Sequence, residues 1–386
     1  MVNRSGAFWL FNPIKLPTSI TLTTPPVDTF NHTHALALGV DSEFAFELSI
    51  CQWAEEHWPP GSERERPIIV ARQFGTKHRR WDTLVIECDP AGLRQRAAFG
   101  SRRLDSDLLH VVRNAPAEWA WYQDCLPHPG YPWRYVREAV HRAADRNLIE
   151  ERTSGNRIEL RRRFRYPDWI ERIVAIENKP DLDASAARHL TDQLHSDVAL
   201  ALADEVWVAT SDTDSSVAPV LLEDLPVEAG ILSVDPNRRG PGAVSVQWQP
   251  QSLPVADPGT QIRERPAGGA HDASACRFEY ADPEWKARKR REIAERAYEK
   301  GWRSYIDTMR PDCRHFEMNL TEAVARPSCA ANDCHQTPRQ CSSSCGEFEP
   351  EPPTWRQGGW PIEGGPGKGL TRVLDRQRER QRPEPE

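Results

Sequence analysis

Apolar and polar positions recur along this chain with two different periods, and the switches between them mark its elements. Phe44, Leu48, Cys51 and Ala54 fall at helical spacing behind Asp41 or Ser42 as a cap. They predict a helix to about His57, stopped by Pro59-Pro60-Gly61. Two β-branched runs follow, 67–72 and 81–87, with turn residues around Gly75-Thr76-Lys77 between them, and predict an antiparallel hairpin. Another apolar run, Arg172 to Ile176, leads into Glu177-Asn178-Lys179. Behind the N-cap Asp183, Leu190, Leu194, Val198 and Leu202 recur every four residues and predict a helix over 184–203, before a buried strand at 205–210. A strand–helix–strand unit of this length implies a parallel pair in a sheet covered by helices.

Residues 90–170 interrupt that order. A helix over 131–147 precedes strand-like runs at 148–152 and 157–163, joined by the tight turn Thr153-Ser154-Gly155-Asn156. Helix then hairpin is the outline of an inserted winged-helix-like module, a reader of duplexes. Arg157, Arg161, Arg162, Arg163 and Arg165 crowd the end of the hairpin and suit backbone phosphates. The glutamates among them leave a solvated charged face as the alternative.

The α/β region is expected over 41–250, with edge strands at 230–234 and 243–248, then a linker over 251–280. A helix from Asp282-Pro283 to about Met309 opens the region 281–350. The basic run Lys286 to Arg291 near its start opposes the helix dipole and is either a contact patch or a solvated face. Residues 1–40, rich in Pro and Thr without a period, are expected to be a disordered extension or sequence upstream of the true start; 351–386 is expected to be a flexible tail. The run Gly364 to Gly369 fails as a phosphate loop. Ile362 stands where its first glycine must be and Gly369 where Ser or Thr must be.

Length and composition limit the function. The 386 residues suffice for two or three domains, and a net charge of −7 excludes a wholesale basic coat, so any nucleic-acid contact is local. No apolar run reaches the roughly 18 residues of a membrane span. With no export signal, the expected location is cytoplasmic and the nine cysteines are expected to be reduced.

The chemistry gathers on few residues. In a strand, Glu177 and Lys179 share a face, and an acid beside a lysine at the end of a buried strand is costly without a purpose; the alternative is a solvated strand end. Asp82 lies on the same face as Leu84 and Ile86, although Asp is depleted in strands. Glu47 falls on the apolar stripe of the first helix, and Gln193 borders that of the later one. Helix, hairpin, strand, helix and strand carrying Glu47, Asp82, Glu177-x-Lys179 and Gln193 in this order resemble the PD-(D/E)XK, or restriction-endonuclease-like, superfamily. Here Trp81 replaces the proline of the motif, and the insertion at about 90–170 is far longer than usual. The resemblance implies a mixed sheet flanked by helices and a nuclease cutting phosphodiester bonds in DNA. It implies Mg²⁺ or Mn²⁺ on Asp82 and Glu177, Lys179 orienting or deprotonating water, Glu47 completing the metal shell through a water, and Gln193 orienting water or a phosphate oxygen. The whole chain also resembles a haloarchaeal family joining such a domain to a cysteine-bearing tail, which supplies no substrate. The alternatives are a catalytically inactive DNA-binding or regulatory protein that keeps the fold, or a zinc-stabilised interaction protein.

A separate signal is Cys313-x15-Cys329-x11-Cys341-x3-Cys345, four soft ligands suited to Zn²⁺ or an iron–sulfur cluster, with Cys334-His335 as substitutes. The alternative is a set of unrelated free thiols.

Overall fold

The computed structural model describes residues 43–62, 65–211, 223, 225–235, 238, 240–264, 276–319, 326–342, 344–350, 375, 376 and 379. The expectations for residues 1–40, for the glycine run at 364–369 and for nearly all of 351–386 lie outside them.

Helix α1 (Glu43–His57) precedes the hairpin β1 (Ile68–Gly75) and β2 (Arg80–Cys88). The interruption follows as α2 (Pro90–Ala97), α3 (Ser106–Asn114), β3 (Ala120–Trp121), α4 (Tyr122–Cys125), α5 (Trp133–Asp145), β4 (Ile149–Ser154) and β5 (Arg157–Arg162). The main sheet resumes with β6 (Ile170–Asn178), α6 (Ala184–Leu200), β7 (Glu205–Ser211), β8 (Gly230–Val234) and β9 (Val244–Trp248). Then come β10 (Gly259–Glu264), β11 (Arg277–Ala281), α7 (Pro283–Lys300) and the short strands β12 (Phe316–Asn319), β13 (Arg326–Cys329) and β14 (Cys334–His335).

The main sheet is mixed, in the order β1-β2-β6-β7-β8-β9. Pairing is antiparallel from β1 to β6, parallel from β6 to β8 and antiparallel again at β9. Its period-2 alternation feeds two cores. Val85, Val174 and Ile176 face α1 and Trp58, whereas Leu84, Ile86, Ile173 and Ala175 face α6 and α7. The parallel pair follows from the α6 crossover, which starts where Asp183 caps Ser185 and Ala186 and stops where Ala201 turns left-handed at φ 43°. Strand β8 runs beside β7 with Gly230 opposite Trp207, whose ring fills the space that a Cβ at Gly230 would need.

The interruption has a core of its own, built from α3, α4, α5 and a three-stranded sheet in the order β3-β5-β4. Three further features depart from the sequence expectations. The helix expected to reach Met309 ends at Lys300, because Gly301 takes φ 64° and a 3₁₀ segment (Trp302–Thr308) follows. The expected linker over 251–280 contains the β10–β11 pair and a strap under α7, in which buried Lys286 donates to the carbonyls of Pro254 (2.8 Å) and Asp257 (2.9 Å). The cysteine-bearing region does not stand apart: Cys313, Phe316 and Cys341 join the α1 core, where Trp302 and Arg303 donate to Glu55.

Candidate active site

At the C-terminal end of β6 the predicted residues come together. Strand alternation sends Glu177 to the α6 side, and there Gln193 Nε2 donates to its Oε2 at 2.5 Å. Asp82 reaches the same place from β2, accepting from the Asn178 backbone N–H at 3.0 Å and from Gln73 Nε2 at 3.1 Å. Gln73 also donates to Glu47 Oε1 at 2.9 Å, so one amide joins the α1 acid to the β2 acid. It does so from the left-handed region at φ 58°, a backbone state that costs a non-glycine residue about 1–3 kcal/mol and clusters at functional sites. Arg72 clamps Glu47 with Nε at 3.1 Å and Nη2 at 2.9 Å. Lys179 Nζ donates to Glu43 Oε1 at 2.7 Å.

The electrostatics follow from burial. Glu177 is 2 % exposed, and burial pushes its carboxyl well above the ordinary carboxylate value; Arg79 opposes this, while Asp82 and Asp197 add to it. Burial raises Glu47 likewise, against the pull of Arg72. For Lys179, partial burial favours the neutral amine, but Glu43, Asp82 and Glu177 outweigh it, so its pKa is raised and the group is an ammonium. Without a further cation it is therefore a donor rather than a base.

Sequence reasoning missed Arg72, Gln73, Arg79 and Asp197. Arg79, from the turn before β2, donates to Glu177 and binds Asp197 through Nε (2.5 Å) and Nη2 (2.6 Å). Asp197, 1 % exposed, also accepts from Trp81 Nε1 at 3.0 Å. The signal for it was its position one turn after Gln193 on the buried face of α6. Gln73 had no such signal, because its role depends on a backbone angle.

The donors suit one hard divalent cation. Asp82 and Glu177 offer carboxylate oxygens, each with lone-pair capacity beyond the hydrogen bond it accepts. Five carboxyl groups, Glu43, Glu47, Asp82, Glu177 and Asp197, face three cationic side chains, Arg72, Arg79 and Lys179. Asn178 Oδ1 is buried with no hydrogen-bond partner among the described residues. The obstacle is that both Glu177 oxygens are already engaged, Oε1 by Arg79 and Oε2 by Gln193. Among the described residues no group of three or more His, Cys, Asp or Glu stands ready to hold a metal ion.

The other predicted sites divide. In the hairpin, Arg161 pairs with Glu150 (2.5 Å), Arg163 bonds Asn147 (3.2 Å) and the Arg157 guanidinium lies 4.8 Å from the Trp121 ring centroid. Arg162 and Arg165 are exposed. Part of the expected phosphate stripe is thus spent within the module. Cys313, Cys329 and Cys341 are buried and Cys345 half-buried. Burial raises the Cys341 thiol, the Arg310 backbone opposes this, and the nearby Cys313, Cys329 and Cys345 add to the rise. The other three thus lie near Cys341 without forming a closed ligand set among the described residues.

Fold and site define a mixed α/β protein with a buried, hydrogen-bonded acid cluster at the end of its central strand. The chain belongs to the family of unknown function DUF5787, whose model matches residues 69–350, from β1 past the last cysteine but without α1 and its Glu47. No curated protein and no solved structure matches it. No helix among the described residues is long and apolar enough to cross a membrane.

Proposed function

We propose that the chain is a divalent-metal-dependent nuclease acting on DNA. One observation carries this reading: Glu47, Asp82, Glu177, Lys179 and Gln193, far apart in sequence, meet in one cluster at one end of the sheet. The succession α1, β1–β2, β6, α6, β7 resembles the restriction-endonuclease-like core in order and in strand direction. The interruption resembles a winged helix, with α5 as the helix that would enter a major groove and the turn at Gly155 as the wing.

Asp82 and Glu177 would hold Mg²⁺ or Mn²⁺, which supplies Lewis-acid polarisation of a phosphate oxygen. The chain's own groups do the positioning. Lys179 carries its positive charge beside the two acids, where it steadies the anionic phosphate and orients water by donating to it. Gln193 fixes one Glu177 oxygen, Gln73 holds Asp82 in line with Glu47, and Glu43 keeps Lys179 charged. In the reaction, water attacks phosphorus, the phosphorus–ester oxygen bond breaks and the departing oxygen takes a proton.

Incubation of plasmid and single-stranded DNA with the full chain in Mg²⁺ or Mn²⁺ tests this. Cleavage is expected, and Asp82→Asn and Lys179→Met are each expected to abolish it. A second reading has its own observation: Arg79 already neutralises Glu177 internally, as a binding protein that keeps the fold without the chemistry would allow. DNA binding without cleavage in either metal favours that reading and ends the first. For the cysteine-bearing region we propose one Zn²⁺ or an iron–sulfur cluster, held by Cys313, Cys329, Cys341 and Cys345. Metal content unchanged in Cys341→Ser/Cys345→Ser removes it.

A further inference from the structure

A further concentration of basic side chains lies away from the predicted hairpin stripe. A cavity of about 630 Å³ opens between the β1–β2 turn, residues 103–106, β10 and α7. Its walls carry Lys77, Arg103, Arg263, Arg288, Lys289 and Arg296 beside Asp105 and Glu292; Arg103 pairs with Glu299, Arg263 with Glu279 and Lys289 with Glu292. A second cavity of about 860 Å³ continues along α7 to α3 and shares Ser106, Arg288, Lys289 and Glu292 as wall. Together they make one trough in a chain whose net charge is −7.

The basic run of α7 sorts itself along this trough. Lys286 and Arg290 are turned to structural duty, on the 254–257 strap and on Asp204 respectively. Arg288, Lys289 and Arg291 remain on the trough walls. Among the described residues Lys77, Arg288 and Arg291 have no ion-pair partner. Arg296 is pulled to a lower pKa by burial and then by Arg103, and Arg291 by burial and then by Arg113. Guanidinium groups held half-buried against one another are an unfavourable arrangement unless a polyanion relieves it.

We propose that this trough binds the phosphate backbone of a nucleic acid and leads it to the acid cluster. The proposal takes its ligand class from the nuclease reading above. From Trp285 to Arg296, α7 runs about 16 Å, over which one strand of a duplex presents about five phosphates. The concave shape suits a strand rather than a bilayer surface, and Trp285 and His78 supply flat faces for bases. The link between the trough and the acid cluster is covalent. In the turn that closes the trough, Lys77 and His78 line its wall, and the next residue, Arg79, carries its guanidinium into the acid cluster.

The test is fluorescence anisotropy of a short labelled DNA duplex and of its single strand, titrated with the full chain in EDTA at rising salt. The variant is Lys77→Gln/Arg103→Gln/Arg288→Gln, three exposed side chains outside the acid cluster. Expected is at least a tenfold loss of affinity near physiological salt. The log–log salt slope should flatten by about 0.9 per deleted contact, so by about two to three. A variant with native affinity and native slope overturns the proposal. So does a native chain that takes up phosphatidylserine vesicles or polyglutamate in preference to DNA. Because no divalent ion is present, the two ideas fail separately. Binding lost in the variant while the native chain never cleaves leaves the trough and removes the nuclease; cleavage with native binding in the variant does the reverse.

Discussion

Arg79 lies between Glu177 and Asp197, donating to both, and all three side chains are almost wholly buried. A buried charge that loses its partner costs about 3–5 kcal/mol, so Arg79→Met leaves two carboxylates without compensation in the interior. A divalent cation can take over that role if it binds at Glu177. The expected outcome is a melting temperature far below that of the native chain in EDTA, with a larger rise on adding Ca²⁺ or Mg²⁺ than the native chain shows. Equal metal-induced shifts in the two proteins would mean that Glu177 is not where the metal binds.

Glu177 also sets a pH dependence of stability. Burial, with Asp82 and Asp197, raises its carboxyl above the ordinary value of 4.5 despite Arg79. In the window between 4.5 and that raised value the native state therefore holds more protons than the unfolded chain. Stability then falls as pH rises through the window. Glu47, raised for the same reason, contributes with the same sign. Urea midpoints in EDTA should fall from about pH 4.5 towards neutrality, and Glu177→Gln should make that fall shallower. An unchanged slope in the variant would place Glu177 in a far more polar setting.

Lys179 contributes with the same sign, in a far more alkaline window. Its raised pKa depends first on the hydrogen bond that it donates to Glu43, which overcomes partial burial. A lysine with a raised native pKa lends stability that is complete below its unfolded value of 10.5 and is lost as pH rises through the native one. Glu43→Gln should lower the Lys179 pKa, measured by NMR titration of the lysine side-chain nitrogen. A titration identical to that of the native chain would show that the acids of the sheet, not Glu43, hold the charge.

How far this site could be read in advance depended on what each residue answers to. Glu47, Asp82, Glu177 and Gln193 stand on regular elements, where a period of 3.6 or 2 fixes the direction of a side chain. The β1–β2 hairpin and the parallel β6–β7 pair followed from the same periods and from the length of the crossover; the pairing of β2 with β6 did not. Gln73 and Arg79 answer to a left-handed backbone angle and to the path of a turn, which no periodicity encodes. The linker was misread because Pro, Gly and Asp in 251–280 describe a strap that earns its order from Lys286, thirty residues on, rather than from its own apolar pattern. The hairpin arginines looked free because sequence shows charge without showing partners. Arg161 and Glu150 meet only across the β4–β5 register.

The trough needs its walls held in register, and Glu295 does that from α7. It accepts from Arg96 Nε (2.6 Å) and Nη2 (2.5 Å), from the Leu104 backbone N–H (2.9 Å) and from the Tyr166 hydroxyl (3.1 Å). Arg96 in turn donates to the carbonyls of Gly100 (2.9 Å) and Arg102 (3.0 Å), and its guanidinium lies 4.2 Å from the Tyr298 ring centroid. One buried pair thus fixes residues 100–104 to α7. Glu295→Gln leaves the Arg96 cation buried without its counter-charge and should cost about 3–5 kcal/mol. Replacing both partners, as Arg96→Met/Glu295→Leu, removes the unpaired charge and recovers part of that loss. It cannot recover all of it, because the buried Leu104 N–H loses its partner, worth about 1–3 kcal/mol, whereas Gly100 and Arg102 are exposed and their carbonyls can turn to water. Urea unfolding of the two single variants and the double should therefore place the double between the native chain and Glu295→Gln. A double variant as stable as the native chain would mean that 100–104 finds its place without α7, and a double less stable than either single would mean that the backbone bonds outweigh the ion pair.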